Sequence, residues 1–125
     1  MTFNEFEKAL KNTDEVQITV TGRKSGRSIS RPVWFVQDGE TLYLLPVKGS
    51  DSEWYKNILK TPTMRFSAGG KDWSAAVEPV TDTGEVRDIV DKFRDKYGAG
   101  QVKKYYSKFD VAVAVHSGGT QRRSA

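Results

Sequence analysis

Apolar and polar positions along the chain change period several times, and each change marks an element. Phe3, Phe6 and Leu10 recur at helical spacing, and Thr2 and Glu5 stand three apart as in a capping box, so the chain is expected to open with a short helix. From Glu15 to Thr21 the pattern alternates. Val16, Ile18 and Val20 fall on one face and Gln17, Thr19 and Thr21 on the other, which predicts a half-buried strand. Gly22 to Gly26 reads as a turn. Ser28 to Gln37 reads as a second strand that tolerates Pro32 only at an edge or a bulge. Trp34 and Phe35 are adjacent and so face opposite ways, which requires apolar surroundings on both sides. Asp38-Gly39 signals a hairpin into a third strand, Thr41 to Val47.

Lys48 to Ser52 is polar and reads as a loop. Ser50 and Glu53 repeat the capping-box spacing before the helical run EWYKNILK, which Pro62 ends. Strands follow at Thr63–Ala68 and Asp72–Val80, joined by Gly69-Gly70. Asp82 or Thr83 caps the longest helix, about Glu85 to Tyr97, whose apolar stripe is Val86, Ile89, Val90, Phe93 and Tyr97. Its carboxylates Asp88, Asp91 and Asp95 lie among Arg87, Lys92, Arg94 and Lys96, as solvated ion pairs do. Gln101 to Lys108 can add a helical turn or two. Asp110 to His116 is a last strand with valines on one face and alanines on the other. The small alanine face implies close approach of another layer or subunit.

Six short strands, mostly in hairpins, with three or four peripheral helices predict a mainly β chain: a six-stranded, largely antiparallel barrel. Residues 1–117 are expected to form one domain, and residues 118–125 a flexible tail. With 125 residues there is room for one core and little for a deep, self-enclosed site, and chains of this size often place a large-ligand site at a subunit interface. The absence of Cys, with His116 as the single histidine, excludes thiolate zinc sites, iron–sulfur clusters and catalytic thiols, and leaves a histidine metal cage or a Ser-His-Asp triad almost no material. No metal is expected. No run approaches a membrane span and the first residues lack signal-peptide character, so the expected location is cytoplasmic, with no membrane partner.

The net charge of +4 includes Arg122 and Arg123 near the C-terminus, so overall basicity says little about nucleic acid. Its distribution says more. From Gly22 to Pro32 there are four basic residues and no acid: Arg23, Lys24, Arg27 and Arg31. Within TGRKSGR, glycines can let backbone amides converge on an anion, Arg offers a two-pronged fork and Ser25 a hydroxyl. The same residues suit an ordinary solvated hairpin tip, and neither nucleotide-binding glycine fingerprint is present. A second constellation, VKGSDSEWYKN, places Lys48-Gly49 before a helix N-terminus, an anion-favouring arrangement, although Trp54 and Ile58 also serve simply to cover a core.

Taken in order, T-G-R-K-S-G, R-P-V-W-F-V, D-G, a strand ending V-K-G, E-W-Y-x-N-I and T-P resemble the split-barrel flavin and deazaflavin oxidoreductases. These are relatives of the pyridoxamine-phosphate-oxidase-like FMN-binding proteins, and the chain most resembles the deazaflavin-dependent nitroreductase or quinone-reductase branch, together with a short uncharacterised branch of the same superfamily. The resemblance covers about Glu15 to Val80 and runs more loosely to Val115. It implies a split barrel that forms a homodimer, with FMN or the factor-420 deazaflavin in a groove near the interface and a small-molecule acceptor of quinone or nitro type. It implies that Arg23, Lys24 and Ser25 hold the cofactor phosphate and that Arg31, Pro32 and Val33 line the ring. Pro46, Val47, Lys48 and Gly49 would cradle ring and ribityl chain, with Trp54 beside them. Tyr105 and Tyr106 lie where the family places an aromatic helix over the substrate. The chain departs from the family after Lys48-Gly49, where Ser50-Asp51-Ser52 replaces a second glycine and a proline-rich spacer. Two other classes stay open: a non-enzymatic cofactor carrier or sensor, and a nucleic-acid-binding barrel that would need Trp34, Phe35 and Tyr43 exposed on one face.

Overall fold

The computed structural model describes residues 3–11, 13–39 and 41–116; Thr2 of the first capping box, residues 118–125 and the side chains of Phe3, Glu5 and His116 lie outside them. The elements are α1 (Phe3–Leu10), β1 (Glu15–Thr21), β2 (Ser28–Asp38), β3 (Thr41–Leu44), a 3-10 turn (Gly49–Asp51), α2 (Glu53–Lys60), β4 (Thr63–Ala68), β5 (Lys71–Val80), α3 (Thr83–Tyr97), α4 (Ala99–Tyr105) and β6 (Ala112–His116). The strands close a barrel in the order β1-β2-β3-β6-β5-β4, and every neighbouring pair is antiparallel. The expected mainly β, six-stranded barrel with peripheral helices is therefore the observed one.

Two long strands make this a barrel of two halves. β2 pairs with β1 over Ser28–Trp34 and with β3 over Phe35–Asp38. β5 pairs with β4 over Lys71–Ala76 and with β6 over Val77–Val80. The first half of β2 thus has β1 on one side and no strand on the other. Pro32, which lacks an N–H, sits in that stretch, as its chemistry requires.

Alternation sends Val16, Ile18, Val20, Leu42, Leu44, Phe66, Val113 and Val115 into the barrel, where Phe6 and Leu10 of α1 and Trp54, Tyr55 and Ile58 of α2 join them. A second apolar layer lies outside. Val36, Leu45, Val80, Ala112 and Ala114 meet the stripe of α3 (Val86, Ile89, Val90, Phe93) with Val102 and Tyr106. The alanine face of β6 is small because helix α3 of the same chain packs on it. Trp34 and Phe35 do part company: Phe35 joins the inner layer and Trp34 the outer one.

Four local expectations need correction. β3 ends at Leu44 and not Val47, because Leu45 turns into the outer layer, Pro46 has no N–H for a ladder, and the chain then winds into the 3-10 turn. The Ser50–Glu53 capping box does not form. Ser52 is the N-cap of α2, its hydroxyl accepts from the Lys48 amide at 2.9 Å, and Ser50 turns to Asp110. The helical turns expected from Gln101 begin earlier, at Ala99, directly after Gly98 ends α3 at φ +94°. β6 begins at Ala112, two residues later than expected.

Tyr97 closes the open end of the β1–β2 ladder. Its hydroxyl accepts from the Phe35 amide at 3.2 Å and lies 2.8 Å from the carbonyls of both Phe35 and Asp14, to one of which it donates. Burial pushes its pKa up to about 12, against the opposing effect of the Phe35 backbone bond, so the proton stays on the donor. The Lys96 ammonium donates to the same Phe35 carbonyl at 2.8 Å and rests 3.6 Å from the Phe35 ring centroid. No helix among the described residues is long and apolar enough to cross a membrane.

Candidate functional site

Two clefts lie along the half of β2 that lacks a second strand. The first, about 230 Å³, is bounded by Gly22, Arg23, Lys24, Ser25, Arg31 and Trp54, with Ile29, Glu53 and Asn57. The second, about 330 Å³, is bounded by Pro32, Val33, Trp34, Val47, Tyr105 and Tyr106, with Glu15 and Leu45. Arg31 faces the first and its neighbours Pro32 and Val33 the second, so one short stretch of strand serves both. The structure therefore gathers the residues singled out above into a cationic group and an apolar, aromatic group. Pro46, Lys48 and Gly49 line neither cleft. They form the turn behind Val47.

In the cationic cleft the basic residues are not equivalent. The Arg23 amide and Nη1 both donate to Asn57 Oδ1, at 3.1 and 2.8 Å, and Nη2 pairs with Glu53 Oε1 at 2.9 Å. Lys60 Nζ donates to the Arg23 carbonyl at 3.0 Å. Arg23 thus ties the turn to α2. Asn57, almost fully buried on the core side of that helix, was not singled out in the sequence; the only signal was a polar residue beside the apolar Trp54, Tyr55 and Ile58. Lys24 and Arg31 make no hydrogen bond or ion pair with the described residues; Lys24 acts on Glu53 only through its charge, as a smaller influence than Arg23. Within the turn, Gly22, Gly26 and Arg27 spend their amides on the Arg27 carbonyl, the Gly22 carbonyl and Ser25 Oγ. Of the amides of this turn, only those of Lys24 and Ser25 make no hydrogen bond with the described residues.

The hydrogen bond and charge of Arg23 hold the Glu53 carboxyl below its ordinary range. A carboxylate with a depressed folded pKa adds stability that is fully present above its unfolded value, about 4.3, and lost as the pH falls through the folded one. Glu53→Gln is therefore expected to lose less stability than the unmodified chain between pH 5 and pH 3, read as urea midpoints across that range. Identical acid slopes would show the pair to be energetically silent, as many exposed pairs are.

The aromatic cleft is built on Trp34, which stacks on Tyr97 with centroids 4.1 Å apart and planes 8° apart, and meets Tyr105 edge-on at 5.4 Å. Tyr105 is about half exposed. Tyr106 is buried against Trp34, Phe93 and Phe109, and burial raises its pKa further than that of Tyr97. Of the two tyrosines singled out, only Tyr105 offers its side chain freely to the cleft. Trp34, Phe35 and Tyr43 do not form a shared stacking platform. Phe35 is 2% exposed and inside the barrel, Trp34 lies on the opposite side of β2 under Tyr97, and Tyr43 is half-buried against the helix layer. The single exposed face that the nucleic-acid reading requires of these three rings is not formed. No group of three or more His, Cys, Asp or Glu among the described residues could hold a metal ion.

This architecture, a closed barrel in two halves joined through the long strands β2 and β5, is a split barrel. It is shared with the F420-H2-dependent reductase FDR-A, at TM-score 0.64 and 19% identity over 82% of this chain and 94% of that one. A candidate 5-nitroimidazole antibiotic resistance protein from Bacteroides thetaiotaomicron gives 0.67 and 15%, over 90% and 78%. The heme storage protein HutZ from Vibrio cholerae gives 0.68 and 13%, over 94% and 91%. No curated protein matches the chain in sequence. Residues 7–116 match the family described as "Uncharacterized protein conserved in bacteria (DUF2255)", and the chain belongs to it.

Proposed function

We propose that the chain binds a flavin-type cofactor, the factor-420 deazaflavin in preference to FMN, and is a reductase of a quinone- or nitro-type acceptor. The observation that carries this is the bare half of β2, with unpaired cations and open amides at one end and an apolar slot at the other. The residues present suit such a group: Lys24, Arg31, the Ser25 hydroxyl and the Lys24 and Ser25 amides for a phosphate, and Pro32, Val33, Val47 and Trp34 for a planar ring. Among the solved structures that share this fold are the F420-H2-dependent reductase FDR-A and a second F420 reductase, which supports the choice of cofactor. When bound, the deazaflavin supplies the hydride. The chain's own residues bind, orient and exclude water, and Tyr105 presents a hydroxyl that can donate to the acceptor. Arg23 serves here as the strut that keeps the turn on α2.

Titration of the protein with each cofactor, followed by cofactor fluorescence, tests the reading. Saturable binding of the deazaflavin is expected, weakened about tenfold by Lys24→Ala and by Arg31→Ala, the loss of one charged contact each. Arg23→Ala is the wrong probe, because it also unties α2. No saturable binding of either cofactor overturns the proposal. Binding with no turnover of any acceptor favours a carrier or sensor, for which the burial of Tyr106, leaving Tyr105 alone of the two tyrosines exposed to the aromatic cleft, is the motivating observation.

A further inference from the structure

We infer that Asp110 is a built-in oxyanion: its carboxylate fills the anion place of the Lys48–Ser50 turn and positions the wall that carries Val47. The accounting of backbone donors carries the first half. The Lys48 amide donates to Ser52 Oγ, Gly49 to the Pro46 carbonyl, Asp51 to the Lys48 carbonyl and Ser52 to the Gly49 carbonyl. The one amide left, that of Ser50, donates to Asp110 Oδ1 at 2.9 Å, and the Ser50 hydroxyl donates to Oδ2 at 2.5 Å. Lys108 Nζ stands 3.7 Å from the same carboxylate and 3.1 Å from Asp51 Oδ2. A side chain from the far end of the sequence thus takes both donors that a bound carboxylate or phosphate would take.

The second half follows from what the clip joins. Ser107 donates its amide to the Val47 carbonyl at 2.9 Å and its hydroxyl to the same oxygen at 3.2 Å, and Lys48 and Lys108 form a parallel bridge. Asp110 closes this seam at its outer end. The seam holds Val47 opposite Tyr105 and Tyr106 across the aromatic cleft. It also precedes α2, which brings Trp54 to the cationic cleft. With the Lys48–Ser52 amides all taken, the amides of these two turns that make no hydrogen bond with the described residues are those of Lys24 and Ser25. On the proposed function, which this last step rests on, the anionic end of the cofactor therefore lies toward Lys24 and its ring toward Val47.

The test needs no cofactor. In a 15N-labelled Asp110→Ala variant the Ser50 amide resonance is expected to shift, and the Val47 and Tyr105 amides with it, although the hydrogen bonds and ion pair of Asp110 go to Ser50 and Lys108. Formate is expected to restore all three saturably toward their original positions, and chloride at equal ionic strength is not. Unmoved Val47 and Tyr105 resonances would overturn the positioning role, and equal effects of chloride and formate would overturn the oxyanion place. Should the variant fail to fold, amide exchange in the unmodified protein decides. Ser50 is expected to be protected as well as Asp51 and Ser52, and exchange at the free-peptide rate overturns the inference. Failure of the cofactor titration leaves these outcomes untouched, so the two readings fall separately.

Discussion

Gly49→Ala is expected to lower folding stability by about 2.5–5 kcal/mol, a large effect for one methyl group. Two costs add. Gly49 has φ +56°, a left-handed conformation that costs an alanine roughly 1–2 kcal/mol. An added Cβ would also fall well inside contact distance of Asp110 Oδ1 and reach 3.0 Å from Lys108 Cγ. Asp110 can swing aside only by giving up its bonds to Ser50, and a hydrogen bond to a charged group contributes about 1.5–3 kcal/mol. A urea titration measures the sum. The same change at Gly39, with φ +62° and open space around its Cβ, meets the conformational cost alone and calibrates it. Equal losses at the two glycines would show that Asp110 does not crowd Gly49.

The largest loss is expected from Phe66→Ala, about 3–5 kcal/mol, the usual range for emptying a buried aromatic position. Phe66 is fully buried on β4, in register with Ile18 of β1 and Trp73 of β5. Its ring lies 5.4 Å from Trp73 and 6.4 Å from Phe6, so it connects the sheet to α1. Small domains have only about 5–15 kcal/mol in hand, so the variant is expected to be partly unfolded near 50 °C. Phe66→Leu keeps much of the volume and is expected to lose less than half as much. A urea midpoint for the alanine variant corresponding to under 1 kcal/mol would mean that the barrel collapses around the vacancy, and that Phe66 is not the link it is taken for.

The strands were legible because burial repeats at a fixed period. The bounds of β1 and β4 match the expected ones, and the bounds of β2 and β5 fall within one residue of them, since each carries an alternating apolar face that only one register can bury. α3 was legible from its stripe and its Asp82 cap, whose side chain accepts from the Glu85 amide at 3.0 Å. The Ser50–Glu53 box misled because spacing states which residues can pair locally and says nothing of a competing acceptor. Asp110, sixty residues away, is a charged acceptor and takes Ser50. The same limit hid the difference between Arg23 and its neighbours, all of which read alike as cations in a turn. Only the arrival of Glu53 and Asn57 from α2 separates the strut from the free charges.

By itself the sequence determined the six strands, the antiparallel barrel, the helix stripes and the two segments that border the clefts. Each of these follows from local periodicity and from turn chemistry at Gly and Pro, which act within a few residues. Tertiary structure decided which cations stay unpaired, which tyrosine faces solvent, how Tyr97 closes the ladder and that a distant carboxylate fills the Lys48–Ser50 turn. Those outcomes depend on distances of about 3 Å between residues tens of positions apart. A hydrogen bond or ion pair is decided by which partner reaches it first in the folded chain, and no pattern along the sequence records that order.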